Sequence, residues 1–284
     1  MPLLDALWLG IVQGLTEFLP VSSDGHLALA HTFLKASSGE DLFFDLVLHL
    51  GTLLAVLLVF GKDLWRFTRE SVAGLLAIPR LGLRGAFEAQ EGLRVATLLL
   101  IATLPTAVIG LLLKKSVESH AFSTAAVAAM IVINGVTLWL SRYAPWLTPA
   151  GPGPLNELGI TPVRAFVIGV AQGLAVLPGI SRSGSTIVAL LLLGAERERA
   201  AQFSFLLSVP AIVGAFVLTL DRESLALGLA NPAPYVLGAV VAAVVGIVAL
   251  KIVLGLLRRA RFYHFAWYCW LLGGAVLVGL ALRP

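Results

Sequence analysis

The chain has 284 residues, of which 58% are hydrophobic and 13% charged, with a formal net charge of +4. Soluble domains carry charged residues at about 25%, so this composition excludes that class and indicates an integral membrane protein. The basic residues fall in short segments between apolar runs, with no aromatic-studded basic stripe, which leaves membrane lipids as the surroundings and no nucleic acid as a partner. A lone Cys269 inside an apolar stretch excludes a disulfide framework, a cysteine zinc site and a dithiol redox pair.

In chain order, the first apolar region runs from Leu3 to Leu34 and holds no Lys or Arg before Lys35. The basic start of a cleaved signal peptide is therefore missing, and the segment is expected to stay in the mature protein. It is broken in the middle by Leu19-Pro-Val-Ser-Ser-Asp-Gly-His26. Uninterrupted apolar runs follow at about Phe43–Phe60, Val95–Leu113 and Ala121–Leu140, and then a Pro/Gly-rich linker, Pro145–Pro154. The region Val163–Leu193 is again broken, by Leu177-Pro-Gly-Ile-Ser-Arg-Ser-Gly-Ser-Thr186, and the runs Phe203–Leu220, Pro234–Leu257 and Phe265–Leu282 complete the chain. A run of that length spans roughly 30 Å of hydrocarbon as a helix. Irregular backbone at that depth needs protein or a watery cavity around it. The expected fold is thus all-α: one polytopic membrane domain over 1–284, with six transmembrane helices and two re-entrant helix-loop-helix hairpins.

The two hairpins resemble each other. Gln13-Gly14-Leu15 returns as Gln172-Gly173-Leu174, and at the same offset of 159 residues Ser22 meets Ser181 and Gly25 meets Gly184. Residues 1–144 and 155–284 read as two repeats of one hairpin plus three spans, and three crossings give the second repeat the opposite orientation, the inverted repeat of transporters. Six Lys and Arg lie between Gly61 and Arg94, and Arg258, Arg259 and Arg261 follow the fifth span, so both segments are expected in the cytoplasm. That threading puts the first hairpin on the outer side of the membrane, with Lys114 and Lys115 at an outer span end against the rule.

Gln13 and Glu17 are spaced i,i+4 and share a helix face. Ser22, Ser23, Asp24 and His26 follow in the break. A carboxylate in an apolar helix is a functional candidate by default; histidine suits proton transfer. Serine can attack phosphorus or cap the second half-helix, and capping is the better fit for Ser22. The second break supplies Ser181, Arg182, Ser183, Gly184, Ser185 and Thr186, an arginine among hydroxyls and glycines at the expected start of a half-helix. Guanidinium forks, free N–H groups and glycines that admit close approach suit an anion. Glu17 corresponds to Val176 and Ser23 to Arg182, so one hairpin brings acid and base groups and the other the clamp. Phosphoryl transfer on a lipid diphosphate fits this set, with a divalent cation held between Glu17 and diphosphate oxygens.

The stretches Gln13-Gly-Leu-Thr-Glu-Phe-Leu-Pro-Val-Ser-Ser-Asp-Gly-His26 and Pro178-Gly-Ile-Ser-Arg-Ser-Gly-Ser-Thr186 closely resemble the two signature motifs of the undecaprenyl-diphosphate phosphatase, or bacitracin-resistance, family. The resemblance extends to Leu48-His-Leu-Gly-Thr-Leu53 and Phe203-Ser-Phe-Leu-Leu-Ser-Val-Pro210 and covers the whole chain. It implies hydrolysis of undecaprenyl diphosphate, a polyprenyl diphosphate lipid, to the monophosphate and inorganic phosphate with Mg²⁺ or Ca²⁺, on the outer face of the bacterial inner membrane. It maps the acidic motif onto Gln13 and Glu17, the essential serine and histidine onto Ser23 and His26, and the arginine onto Arg182 flanked by Ser181 and Ser183. Ser22, Gly25, Gly184 and Thr186 join these as substrate-binding candidates, and Gln13, Glu17 and Asp24 are the metal candidates.

Asp24 departs from the family pattern, which has Ser or Thr there, and reads as an added metal ligand, a cap turned away, or a charge that impairs activity. Gln202 stands where the family often has Glu. His49 lies within a span and either braces the first hairpin or bonds a carbonyl. His31, His120 and His264 fall near span ends, and Glu196-Arg-Glu-Arg199 reads as a solvated paired loop. Trp65, Trp139, Trp146, Trp267 and Trp270 read as interfacial belts. The rival function class is a transporter or flippase for a phosphorylated lipid, which has no use for serine and histidine beside a metal-binding carboxylate. Monomer and homodimer both remain open.

Overall fold

The computed structural model describes residues 1–34, 41–118, 123–144, 160–220, 222–258 and 262–282. Among these residues there are helices and no strands. The first broken region forms α1 (Leu3–Thr16) and α2 (Ser23–Leu34), followed by α3 (Asp41–Val59), α4 (Gly61–Ala89), α5 (Glu91–Glu118) and α6 (Thr124–Leu140). The second forms α7 (Pro162–Leu174) and α8 (Arg182–Leu192), followed by α9 (Arg197–Thr219), α10 (Arg222–Ala230), α11 (Pro232–Arg258) and α12 (Phe265–Ala281). The linker Pro145–Pro154, His120, Trp146, Arg259 and Arg261 lie outside the described residues.

Five helices are long and apolar enough to cross a membrane: Glu91–Lys114, Thr124–Tyr143, Arg197–Thr219, Pro232–Arg258 and Phe262–Ala281. A sixth, Phe43–Val59, qualifies together with Gly61–Ala89, from which it is bent by 76°. These are the six runs expected from the sequence, and the chain is a multi-pass membrane protein. Their outward faces carry large apolar side chains such as Leu100, Leu112, Val217 and Leu271, which suits a lipid-facing surface that water would penalise.

The segment 61–94, read from sequence as a connection, is mostly helix. In α4, Phe67, Gly74 and Ala86 are buried, and the helix lies along α5. Its opposite side mixes exposed Trp65, Val72, Leu75 and Leu76 with arginines, an amphipathic pattern too rich in charge to read as a membrane span. Gly82, at φ 69°, bends it near its end, and Glu70 Oε2 accepts from the Gly92 N–H at 2.8 Å, satisfying a free donor at the start of α5. Gln202, on α9, donates to Asp63 Oδ2 at 2.9 Å, tying α9 to the start of α4. Glu196–Arg199 is the first turn of α9 rather than a loop: Glu196 caps it, pairs with Arg199 at 3.5 Å, and Glu198 pairs with Arg258.

Two breaks of the same form position the site. α1 and α7 begin 159 residues apart, as do α2 and α8. The first pair packs through α1 against α11, and the second through α7 against α5. Phe18 and Val21, in the first break, are buried, and Phe18 meets Phe205 of α9 edge-on at 5.6 Å between ring centres. Apolar anchoring of this kind fixes a segment that lacks helical hydrogen bonds.

Candidate active site

The two breaks meet each other. Ser22 sits at φ 72°, a conformation costly for a residue with a Cβ. Its hydroxyl accepts from the Gly25 N–H at 3.2 Å, capping α2, and from the Gly179 N–H of the second break at 3.1 Å. Gly179 has φ 103°, and a Cβ there would come within 2.6 Å of Met130 Cβ, so glycine is needed both for backbone and for space. A Cβ on Gly25 would approach Gly179 Cα to 3.0 Å. Gly25 therefore serves the closure of one break on the other. Ser181 caps α8 by accepting from Gly184 N–H at 3.0 Å. Asn134 of α6 holds both turns: its amide donates to Pro20 O at 2.8 Å, and its carbonyl accepts from Ser181 N–H at 3.0 Å.

This closure brings Glu17 to Ser23 and Arg182. Glu17 is the residue at which α1 ends, and its side chain is largely buried. Its Oε2 accepts from Ser23 Oγ at 2.6 Å and from Gln13 Nε2 at 3.0 Å, and its Oε1 accepts from Arg182 Nη2 at 2.6 Å. These are charge-assisted bonds of the short, strong type. Ser183 Oγ donates to the Glu17 carbonyl at 3.3 Å and lies 3.2 Å from Ser181 Oγ. Ser23, free of the capping role that Ser22 performs, has its hydroxyl on a carboxylate.

His26 is placed differently from Ser23. Its Nδ1 lies 2.7 Å from the Ser22 carbonyl, which can only accept, so Nδ1 carries the hydrogen. Nε2 then presents a lone pair, which takes the Tyr268 hydroxyl at 2.8 Å, with the two rings stacked. The group in contact with the Ser23 hydroxyl is the carboxylate, not the imidazole. Thr186 is fully buried; its hydroxyl bonds the Arg182 and Ser183 carbonyls and Ser204 of α9, which fastens α8 to its neighbour.

His49, ambiguous in sequence, does both things considered for it: Nδ1 donates to the Asp45 carbonyl at 2.8 Å, and Nε2 faces Asp24 Oδ1 at 3.3 Å and Glu17 Oε2 at 3.5 Å. Asp24 thus points toward α3. His31 pairs with Asp45 Oδ1 at 3.0 Å. Asn134 and Tyr268 were missed by reasoning from sequence. An Asn within an otherwise apolar run was the available signal for the first; nothing marked Tyr268 off from a belt aromatic.

Among the described residues no three His, Cys, Asp or Glu side chains converge to hold a metal ion. The donor chemistry nevertheless fits a hard divalent cation shared with substrate. Glu17, Asp24 and Gln13 all offer oxygen, and Gln13 Oε1 is buried with no hydrogen-bond partner among the described residues.

A multi-pass helical membrane protein with an acid, a hydroxyl and a guanidinium gathered between two broken helix pairs defines a class suited to chemistry on an anionic lipid. The comparisons with known proteins narrow it. The family described as Bacitracin resistance protein BacA matches residues 6–275, and the chain belongs to that family. It is 48% identical over 273 residues to a protein named undecaprenyl-diphosphatase from Desulfosudis oleivorans, covering 95% of each chain. Proteins of the same name from Desulforapulum autotrophicum and Korarchaeum cryptofilum are 44% and 38% identical, with at least 96% of each chain covered.

Proposed function

We propose that the chain hydrolyses undecaprenyl diphosphate to undecaprenyl phosphate and inorganic phosphate where the two breaks meet. The observation that carries this is Ser23 Oγ on Glu17 at 2.6 Å, with Arg182 on the other carboxylate oxygen, in a chain similar along 95% of its length to a protein named for that reaction. Ser23 Oγ attacks the terminal phosphorus while Glu17 takes its proton. The bond from that phosphorus to the bridging oxygen breaks, and the electron pair leaves with the lipid monophosphate. Water then attacks the phosphoserine, releasing inorganic phosphate and restoring the serine. Arg182 has five N–H donors, one of them on Glu17, and the others suit oxygens whose charge grows as the bond breaks. His26 Nε2, with its lone pair, is suited to accept a proton from the attacking water. The competing assignment makes that nitrogen the nucleophile, and a trappable phosphohistidine distinguishes it.

Mg²⁺ or Ca²⁺ would be held by Glu17, Asp24 and Gln13 Oε1 together with diphosphate oxygens, and would supply charge neutralisation there. Ser181, Ser183 and the N-terminus of α8 would line the phosphate end. The α1–α2 and α7–α8 pairs are read as re-entrant hairpins of an inverted repeat. This is supported by the 159-residue offset of their helix starts and by the exchange in which each pair packs on a long helix of the other repeat, α1 on α11 and α7 on α5. The distribution of basic residues supports an active site on the outer face of a plasma membrane. The test is phosphate release from undecaprenyl diphosphate by purified protein in detergent, with and without a chelator. Release that the chelator suppresses is expected; no release from this lipid overturns the reading, and release untouched by chelator overturns the metal.

A further inference from the structure

Helix α4 carries stripes of different chemistry along its length. Successive residues turn by about 100°, so Phe67 and Gly74, seven apart, share one side, and both are buried. They meet the start of α5: Gly92 has no room for a Cβ beside the Phe67 carbonyl, nor Gly74 beside Leu93. Trp65, Val72 and Leu76, spaced by seven and four, form a second stripe that is exposed throughout, Leu76 at 74%. Lys62, Arg69 and Arg80, spaced by seven and eleven, form a third, also exposed, roughly 50° round the helix from the second. Asp63 and Glu70 come next, roughly 100° further on, and then the buried side again. Arg66 is shared between Asp63 and Glu91 at 3.6 and 3.7 Å, and Arg84 pairs with Glu88 at 2.8 Å. Glu70 is held by the Gly92 N–H. Lys62, Arg69 and Arg80 make no ion pair among the described residues.

We infer that α4 lies in the plane of the membrane surface, with Trp65, Val72 and Leu76 sunk into the leaflet and Lys62, Arg69 and Arg80 binding the phosphates of anionic phospholipids. Its placement fits that plane. It leaves α3 at a bend of 76° and packs on the first residues of α5, so it sits at the level where one span ends and the next begins. The order of its stripes is an order of depth: apolar side chains in hydrocarbon, cations at the headgroups, acids toward water. Long Lys and Arg stems run along apolar surface while lifting their charge to the phosphates. Three cations without a counter-ion in the protein favour a lipid of net negative charge, because a zwitterionic headgroup brings a cation of its own. Water against this face would instead leave Trp65, Val72 and Leu76 exposed as one apolar strip.

The test uses the full-length protein with Cys269→Ala and a bimane label on one introduced cysteine: Leu76→Cys on the apolar stripe, Ala73→Cys on the water side of the basic stripe, or Leu104→Cys, exposed in the middle of α5. Each is reconstituted in bilayers of equal parts phosphatidylcholine and phosphatidylglycerol, with one lipid or the other brominated on its acyl chains. Brominated chains should quench the label at position 76 and spare that at 73. At 76, brominated phosphatidylglycerol should quench as if enriched about threefold over phosphatidylcholine, whereas at 104 the two should quench alike. Lys62→Gln combined with Arg69→Gln and Arg80→Gln should leave quenching at 76 and abolish the preference, and the variant should elute as the parent does, since all three side chains are exposed. Salt at about 1 M should weaken the preference in the parent. No quenching at 76 overturns the placement of α4. Equal quenching by both lipids, or a preference that survives the glutamine substitutions, overturns the recognition of anionic headgroups. A label at 76 shielded from both lipids in a protein that cross-links as a dimer gives the face to a second copy and likewise overturns the proposal.

Discussion

Glu17→Gln preserves the shape of the side chain and removes its charge. The carboxylate is addressed by Ser23 Oγ and Arg182 Nη2, each at 2.6 Å, by Gln13 Nε2 at 3.0 Å and by His49 Nε2 at 3.5 Å. An amide has a single acceptor oxygen, so Ser23, Gln13 and Arg182 can no longer all donate to this side chain, and no group in contact with Ser23 can take its proton. Loss of a positioned base costs about 10²–10⁴ in rate, equivalent to about 3–5 kcal/mol of barrier. The structural cost is smaller. Removing one partner of a fully buried pair costs about 3–5 kcal/mol, but the Arg182 side chain is 21% exposed and can rehydrate, which brings the figure to about 1–2 kcal/mol. Against a typical stability of about 5–15 kcal/mol, that leaves nearly all the protein folded, so instability cannot supply the loss in turnover. Purified variant should elute as the parent does in detergent and release phosphate at least about 100-fold more slowly. Because base and nucleophile act as a unit, Glu17→Gln with Ser23→Ala should be no slower than either alone. A Glu17→Gln protein within about tenfold of the parent, or multiplicative losses in the double variant, would refute the assignment of the base.

Arg182→Lys keeps a charge but replaces a fork with a point donor, so kcat should fall about 10²-fold, with Arg182→Ala at least as low; a lysine variant that turns over like the parent would remove the clamp from the mechanism. Ser22→Ala strands the Gly25 and Gly179 N–H groups and keeps the φ of 72°, whereas Ser22→Gly strands the same groups but relieves the backbone. Thermal inactivation should therefore rank parent, Gly, Ala, with about 1 kcal/mol between the last two, and an alanine variant as durable as glycine would count against the strain. Asn134→Leu removes a donor and an acceptor that hold both breaks and should lower stability by about 2 kcal/mol or more together with activity. In a Cys269→Ala background, a cysteine at Arg222 should react with a membrane-impermeant reagent added outside the cell and one at Glu88 only after lysis; reversed labelling would invert the orientation.

Much of this architecture was legible because a membrane span is a coarse signal. Six runs of apolar residues predict six helices, and the helices α3, α5, α6, α9, α11 and α12 lie on them. The breaks were legible for the opposite reason: Pro20, Ser22 and Gly179 interrupt otherwise apolar sequence, and helix capping by Ser22 and Ser181 follows from their residue type at a helix start. Helix α4 was passed over because Arg66, Arg69, Asp63 and Glu70 make the segment too polar for a span, and a search for long apolar runs does not register an amphipathic helix that packs on α5. The grouping of Glu17, Ser23 and Arg182 was foreseeable as chemistry. Their pairing was not: nearness in sequence suggests Ser23 with His26, three residues on, whereas the turn that carries Ser22 at positive φ sends Ser23 back to Glu17 and leaves His26 facing Tyr268, which lies 242 residues away.

The bonds that close one break on the other run between the two halves of the chain. Gly179 N–H needs Ser22, Ser181 N–H needs Asn134, Ser183 Oγ reaches the Glu17 carbonyl, and Arg182 reaches the Glu17 carboxylate. The second break alone would leave the buried Gly179 and Ser181 N–H groups unpaired, at about 1–3 kcal/mol apiece, in surroundings where water is scarce. Closing one break on the other removes those penalties, and the geometry that removes them also sets acid, hydroxyl and guanidinium within bonding distance. Assembly of the site and stability of the breaks are therefore the same event. A substitution that spares every catalytic side chain but opens the Ser22–Gly179 contact must disturb both, whereas one that loosens α4 at a lipid-facing position need disturb neither. Ser22, the one non-glycine described residue at positive φ, sits where a strained conformation is held because it forms bonds to both breaks at once.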